Sequence, residues 1–213
     1  DPAPLARLRP EKDTSGSLRY PGKVTALADG GMAIADTGHD RVVIVDKEGK
    51  ATDVIGTGAH GKKDGGFAEA TFARPQGMTE ALGDLYVADM ESHAIRKIDR
   101  KAKTVSTVVG TGELGGMLRS NAVRPGLSVA LRSPWDLVTV GDFVFVALAG
   151  SHQIGLFMPK SGEFRLFAGS GQEARRDGDL LDAAFAQPSA LAVGADKKAL
   201  FVLDSETSSV RAI

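Results

Sequence analysis

A unit of about 54 residues recurs along the chain, and a repeat of that length restricts the choice of fold more than any other feature. Its copies open at Tyr20-Pro21-Gly22, Arg74-Pro75-Gln76, Ser133-Pro134-Trp135 and Gln187-Pro188-Ser189, with successive prolines 54, 59 and 54 residues apart. Within each copy a β-rich stretch follows: Met32–Asp36, Leu85–Asp89, Val144–Leu148 and Leu200–Asp204. After a tight turn comes another, at Val42–Val45, Ile95–Ile98, Ile154–Phe157 and Val210–Ile213. A last stretch, at Thr52–Gly56, Thr104–Gly110 and Phe164–Gly169, ends each time in glycine before a longer polar loop. Each copy therefore reads as four short strands rich in Val, Ile, Leu and Phe. Repeated four-stranded units are the pattern of an all-β fold, the β-propeller, whose blades pack face to face around an axis.

Composition supports many short elements. The chain has 213 residues, and its 26 glycines exceed the usual share of roughly 7%, as frequent chain reversals require. The longest apolar run, Phe143 to Ala149, is far short of the roughly 20 residues that a membrane helix needs. With no Cys, the chain itself carries no disulfide scaffold, thiolate metal site or thiol chemistry, and the compartment is left open. A formal net charge of −1 argues against a surface dedicated to nucleic acid.

From Pro21 onward the chain resembles the NHL-repeat family. Its turns Asp36-Thr37-Gly38-His39-Asp40-Arg41-Val42 and Asp89-Met90-Glu91-Ser92-His93-Ala94-Ile95 are similar to that family's Asp-x-x-x-Asn-x-Ile signature. Further segments, among them Ser133-Pro134-Trp135-Asp136 and Phe185-Ala186-Gln187-Pro188, resemble the branch whose propeller accompanies a thioredoxin-like domain. The resemblance implies an NHL-type propeller of six blades. At the observed pitch a six-bladed ring takes roughly 320 residues, so 20–213 is read as about 3.75 blades, with 1–19 as an N-terminal segment or linker. The remaining blades, or a second polypeptide, would complete the ring; closure of four blades by residues near Leu5 to Leu8 is the disfavoured alternative. The chain departs from the signature at Leu148, which replaces Asp, and at Asp40, His93, His152 and Ser208, which replace Asn.

Candidate sites fall on this frame. Gly56 to Lys63 mimics a phosphate loop, but Lys63 stands where a Ser or Thr hydroxyl would ligate Mg²⁺. The carboxylates of Asp36, Asp89 and Asp204 suit a structural role, accepting backbone N–H groups to clamp the turns. The same turns, with Asp36, His39, Arg41, Asp89, His93 and His152, share one rim with the long loops Gly58 to Phe72, Gly112 to Leu131 and Gly171 to Phe185. Lys62, Lys63, Arg119, Arg124, Arg132, Arg175 and Arg176 make those loops locally basic. Three His invite a metal, yet turns of different blades are spread around a ring on the order of 20 Å across, too far for shared ligation. The innermost strands offer only Glu80 and Asp136, a thin basis for the channel metal of a propeller hydrolase or lyase. The loop pattern Asp64-Gly65-x-Phe67-x-x-Ala70-x-Phe72-x-x-Pro75, repeated from Asp177 to Pro188, reads as packing between blades. Trp135, the only Trp, is a channel-wall or contact residue. No nucleophile motif and no metalloprotease motif occurs.

The reading is therefore a platform without catalysis or cofactor. Its partner is another protein or further domains of its own polypeptide, the resemblance implying a thioredoxin-like domain. Interaction-face candidates are Asp36, His39, Arg41, Lys62, Lys63, Asp89, His93, Trp135, His152, Arg175 and Arg176. The alternatives are a metal-dependent hydrolase or lyase and an RNA-binding face, neither with membrane contact.

Overall fold

A computed structural model describes residues 17–213; the segment around Leu5 to Leu8 and most of the expected 1–19 linker lie outside the described residues. Four antiparallel sheets follow one another along the chain. The first joins β1 (Lys23–Ala26), β2 (Met32–Asp36), β3 (Arg41–Val45) and β4 (Ala51–Ile55) in chain order. The second contains β5 (Gly65–Gly66), β6 (Pro75–Ala81), β7 (Asp84–Asp89), β8 (Ala94–Asp99) and β9 (Thr104–Val109). The third contains β10 (Arg124–Pro125), β11 (Pro134–Val140), β12 (Phe143–Leu148), β13 (Gln153–Met158) and β14 (Glu163–Ala168). The fourth has three strands, β15 (Pro188–Val193), β16 (Leu200–Asp204) and β17 (Ser209–Ala212). The chain is thus an all-β propeller segment, and no described helix is long and apolar enough to cross a membrane.

Two sheets hold one strand more than the repeat suggests. The two-residue strands β5 and β10 lie within the interblade loops and pair with the outer strands β9 and β14. Two residues are too few to show a periodic signal, and Gly-Gly or Arg-Pro carries no strand preference.

Alternation along each middle strand builds the core. In β7, Leu85 and Val87 pack with Ala33, Ala35, Val42 and Ile44 of the first sheet. The intervening Tyr86 and Ala88 pack with Val144, Val146 and Leu148 of the third. Ala147 and Ile154 then meet Leu191, Leu200 and Val202 of the fourth. Because side chains of period two point to opposite faces, a blade between two others must be apolar at nearly every middle-strand position. The end blades each keep one apolar face outward, with Val24 55% and Val54 43% exposed at one end and Leu203 45% and Val210 68% at the other.

The strands β1, β6, β11 and β15 lie innermost, and there the blades come closest. A β-carbon on Gly77 would stand 2.3 Å from the Asp136 Cα, so β6 and β11 tolerate no side chain at that point. Across this gap Lys23 donates to both carboxylate oxygens of Asp136 at 2.9 Å. The Leu191 amide donates to Asp136 Oδ2 at 2.9 Å, so one nearly buried carboxylate ties blades one, three and four. Glu80 instead accepts from the Ala28 amide at 2.7 Å.

Replacing Gly77 by Ala forces β6 and β11 apart and is expected to cost about 3 kcal/mol. Gly116→Ala, at a site where an added β-carbon meets nothing within 4 Å, is expected to stay within about 0.5 kcal/mol. Urea unfolding of the full-length protein checks both, and similar midpoints for the two variants would contradict the close approach.

Candidate functional site

The loop-rich rim is built from a hydrogen-bonded joint repeated at each blade junction. Asp36, Asp89 and Asp204 end β2, β7 and β16 and are fully buried. One oxygen of each accepts a backbone amide of the segment entering its own blade, from Arg19, Ala73 and Ala186 respectively, at 2.7 Å. The backbone amide that each carboxylate holds thus belongs to the incoming chain, while the following turn is tied through side chains, His39 to Asp36 and Thr207 to Asp204, both at 2.9 Å. The difference arises because the entering segment crosses over the strand end and presents an amide that no ladder satisfies.

The second oxygen takes a guanidinium. Arg41 Nε donates to Asp36 at 2.7 Å, Arg96 Nη1 to Asp89 at 3.0 Å, and Arg211 Nη1 lies 3.5 Å from Asp204. Arg96 is fully buried and also binds Asp64 at 2.7 Å and the carbonyls of Lys63 and Thr71. Arg211 repeats the arrangement with Asp177, Arg176 and Ala184. The Asp-Gly loop pattern is thus the far end of a clamp, and Arg96 and Phe72 add a cation–π contact at 5.3 Å. Burial pushes the Asp89 carboxyl up, to about 6, against the pull of Arg96 and the Ala73 amide.

A second element of the joint explains the positions where the signature has Asn. Asp40, His93, His152 and Ser208 all have positive φ, between 49° and 57°, the left-handed region that Asn tolerates best among side-chain-bearing residues. The side chains of the first three reach the next blade. Asp40 Oδ1 accepts the Arg74 amide at 2.7 Å, His93 Nδ1 the Ser133 amide at 3.3 Å, and His152 Nδ1 the Gln187 amide at 3.1 Å. Each accepted amide belongs to the residue before a blade-opening proline. A ring nitrogen can accept only when unprotonated, so both histidines work as neutral rings. Burial, aided by the Arg132 charge, holds the His93 pKa below its ordinary value.

The rim candidates thus divide. Asp36, Asp89 and Arg41 are buried and shape the face from beneath. His39 pairs with Asp36 at 2.9 Å, and Lys62 donates to the Gly112 carbonyl at 3.0 Å. Arg176 is tied to the Asp182 carbonyl at 2.8 Å, whereas Lys63 and Arg175 project their side chains from exposed positions. Trp135 sits half-buried at the irregularity between Pro134 and Asp136, at the start of the channel strand, where Pro134 pairs with Leu148 beside the rim turn.

Between blades one and two the rim holds a polar hollow of about 190 Å³ around a histidine that the sequence pattern did not single out. His60 Nδ1 lies 3.1 Å from Asp40 and Nε2 3.3 Å from Glu91, and Arg74 pairs with Glu91 at 3.1 Å. Its partners come from turns of successive blades, so no spacing along the chain announces them. The equivalent junction between blades three and four carries His152, Glu173, Glu206 and Gln187. There the hydrogen bond shared with Glu173 raises the Glu206 pKa. Among the described residues no group of three His, Asp or Glu is placed to hold a metal ion.

Four-stranded blades whose second strand ends in an Asp anchor, followed by a left-handed residue at the Asn position, define an NHL-repeat β-propeller, and the chain is one. It is 41% identical over 219 residues to NHL repeat-containing protein 2 of Homo sapiens, covering 92% of this chain and 30% of that protein. It is 37% identical over 224 residues to Protein SUPPRESSOR OF QUENCHING 1, chloroplastic, of Arabidopsis thaliana, covering all of this chain and 21% of that one. The chain therefore spans less than a third of the curated relatives it matches. No protein-family model matches it. Among solved structures it is similar to an auxiliary nutrient binding protein of Bacteroides ovatus (TM-score 0.69, 16% identity, 90% of this chain and 47% of that one). It also resembles a gluconolactonase of Xanthomonas campestris (TM-score 0.61, 14% identity, 91% and 58%). At such identities the likeness is one of fold.

Lowering the pH tests the joint. Because the His93 pKa is depressed in the folded state, its contribution is fully present above about 6.5, the ordinary histidine value, and is lost as pH falls below it. Asp89, raised when folded, works in the opposite sense and is common to both proteins compared. His93→Asn keeps an acceptor in a residue suited to positive φ. The urea midpoint of full-length His93→Asn should therefore fall less between pH 7.5 and pH 5.5 than that of the parent, and equal falls would exclude the assigned acceptor role.

Proposed function

We propose that this propeller is a non-catalytic platform whose loop-rich rim engages another protein or a further domain of its own polypeptide, a thioredoxin-like domain being the favoured candidate. The observation that carries the reading is the use made of the polar side chains. Asp36, Asp89, Asp204 and the Nδ1 atoms of His93 and His152 are consumed in holding backbone amides. In the channel, Asp136 and Glu80, the pair that a hydrolase or lyase would need together, are engaged by different partners. What the rim leaves outward, Lys63, Arg175 and the exposed loop backbone around them, is surface chemistry suited to association. Loops mounted on rigid sheets provide such a surface without reorganisation.

Cross-linking mass spectrometry on the full-length protein tests this. Amine-reactive cross-links from Lys62 and Lys63 should reach residues outside the blades, in the same polypeptide or in a bound protein, and Lys63→Glu with Arg175→Glu should reduce the yield of cross-links that remain possible several-fold. Cross-links confined to the blades would overturn the reading. So would turnover of a gluconolactone by the purified protein that is abolished in Glu80→Gln.

A further inference from the structure

The loop entering the third blade differs from its counterparts in a coordinated way. The amides of Gly56, Gly110 and Gly169 donate to the carbonyls of Phe67, Gly126 and Leu180, which aligns the three loops. Val123 then occupies the place of Asp64 and Asp177. On the sheet beneath, Leu148 replaces the strand-end Asp, and Gly155 replaces Arg96 and Arg211. A β-carbon on Gly155 would fall 2.2 Å from Phe164 Cζ, so the Phe164 ring fills the space that the guanidinium takes elsewhere. All three charges of the clamp are therefore gone from this blade.

The arginines stay, Arg119 and Arg124 on the loop and Arg165 on β14. Arg119, Arg124 and Arg165 line one crevice between the loop and β14, and none has an ion-pair partner among the described residues. Gln153, fully buried, takes the place of the clamp by pairing with both backbone groups of Leu118, at 2.7 and 2.8 Å, so the longer loop is held in position. Beside the crevice opens a groove of about 560 Å³, walled by Arg165, Leu166 and Phe167 on one side and by Asp179 to Asp182 on the other. Leu180 and Leu181 stand 44% and 39% exposed in it.

We propose that this groove docks an extended acidic peptide segment. An apolar side chain of the segment seats against Leu180, Leu181 and Phe167, and its carboxylates pair with Arg165, Arg124 and Arg119. Asp179 and Asp182 on the opposite wall repel the carboxylates and so fix which edge of the peptide meets the arginines. The same acidic wall disfavours a polyphosphate chain. Phe167, already edge-on to Phe145 at 4.9 Å, offers no free platform for a base. Three unpaired guanidiniums beside an apolar trough match a partner that supplies both carboxylates and an apolar anchor.

The test uses the full-length protein and a fluorescein-labelled peptide of alternating Glu and Leu, followed by anisotropy. Saturable binding is expected, weakened about tenfold or more by Arg124→Glu with Arg165→Glu, and separately by Leu181→Asp. Lys63→Glu on the rim should leave it unchanged, which separates failure here from failure of the rim reading. Equal binding of a Glu-Gly peptide would show bulk charge attraction and overturn the proposal. Equal binding of a Lys-Leu peptide, tighter binding of single-stranded RNA, or the absence of binding would do the same.

Discussion

Sheets packed face to face through aliphatic side chains are well attracted but poorly indexed, because apolar contact is non-directional and permits sliding. In this propeller the index is supplied by backbone amides at the blade junctions, each aimed at a short side chain held in an uncommon backbone conformation. A left-handed residue costs about 1 to 2 kcal/mol, and a hydrogen bond to a buried amide returns about 1 kcal/mol while sparing the penalty of leaving that amide unpaired. The near balance explains why the arrangement recurs at every junction. Removing any one acceptor exposes a cost that the apolar core cannot absorb locally.

Two further polar devices act at different radii. Near the axis, Asp136 gathers an ammonium from blade one and an amide from blade four across the glycine that lets β6 and β11 touch. At the periphery, the Asp64–Arg96–Asp89 and Asp177–Arg211–Asp204 chains pin the interblade loops to the sheets. Buried ion pairs of this kind add little net stability over apolar residues of the same shape, and their contribution is geometric. In blade three Leu148 and Phe164 are buried in the apolar core where the other blades carry the charges, and a glutamine positions the loop instead. The functional surfaces differ accordingly. Where the clamp persists its arginine is largely buried against carboxylates, and where it is lost the arginines have no ion-pair partner among the described residues.

Much of the fold is legible in the chain because each blade is local. Proline-to-proline spacing, alternating strands and terminal glycines are all encoded within one repeat. The site is less legible for an equally physical reason. His60 meets Asp40 and Glu91, residues 20 positions before it and 31 after it, across a junction between blades. The recipient of the Asp36 oxygen is an amide, which any residue type carries, so sequence cannot mark it. The short strands β5 and β10 escape notice because two residues carry no period.

By itself, then, the sequence determined the blade and its four principal strands, since these follow from side-chain alternation and turn chemistry over a few dozen residues, and the resemblance of its turns marked the type of propeller. It also marked Asp36, Asp89 and Asp204 as anchors. Tertiary structure alone decided what those anchors hold and that the signature's Asn position is a latch between blades. It also decided that Lys23 reaches Asp136 over Gly77 and that three arginines of the third blade are left without an ion-pair partner among the described residues. Each of these depends on how one blade sits against the next, a distance set by packed side chains rather than by neighbours in the chain.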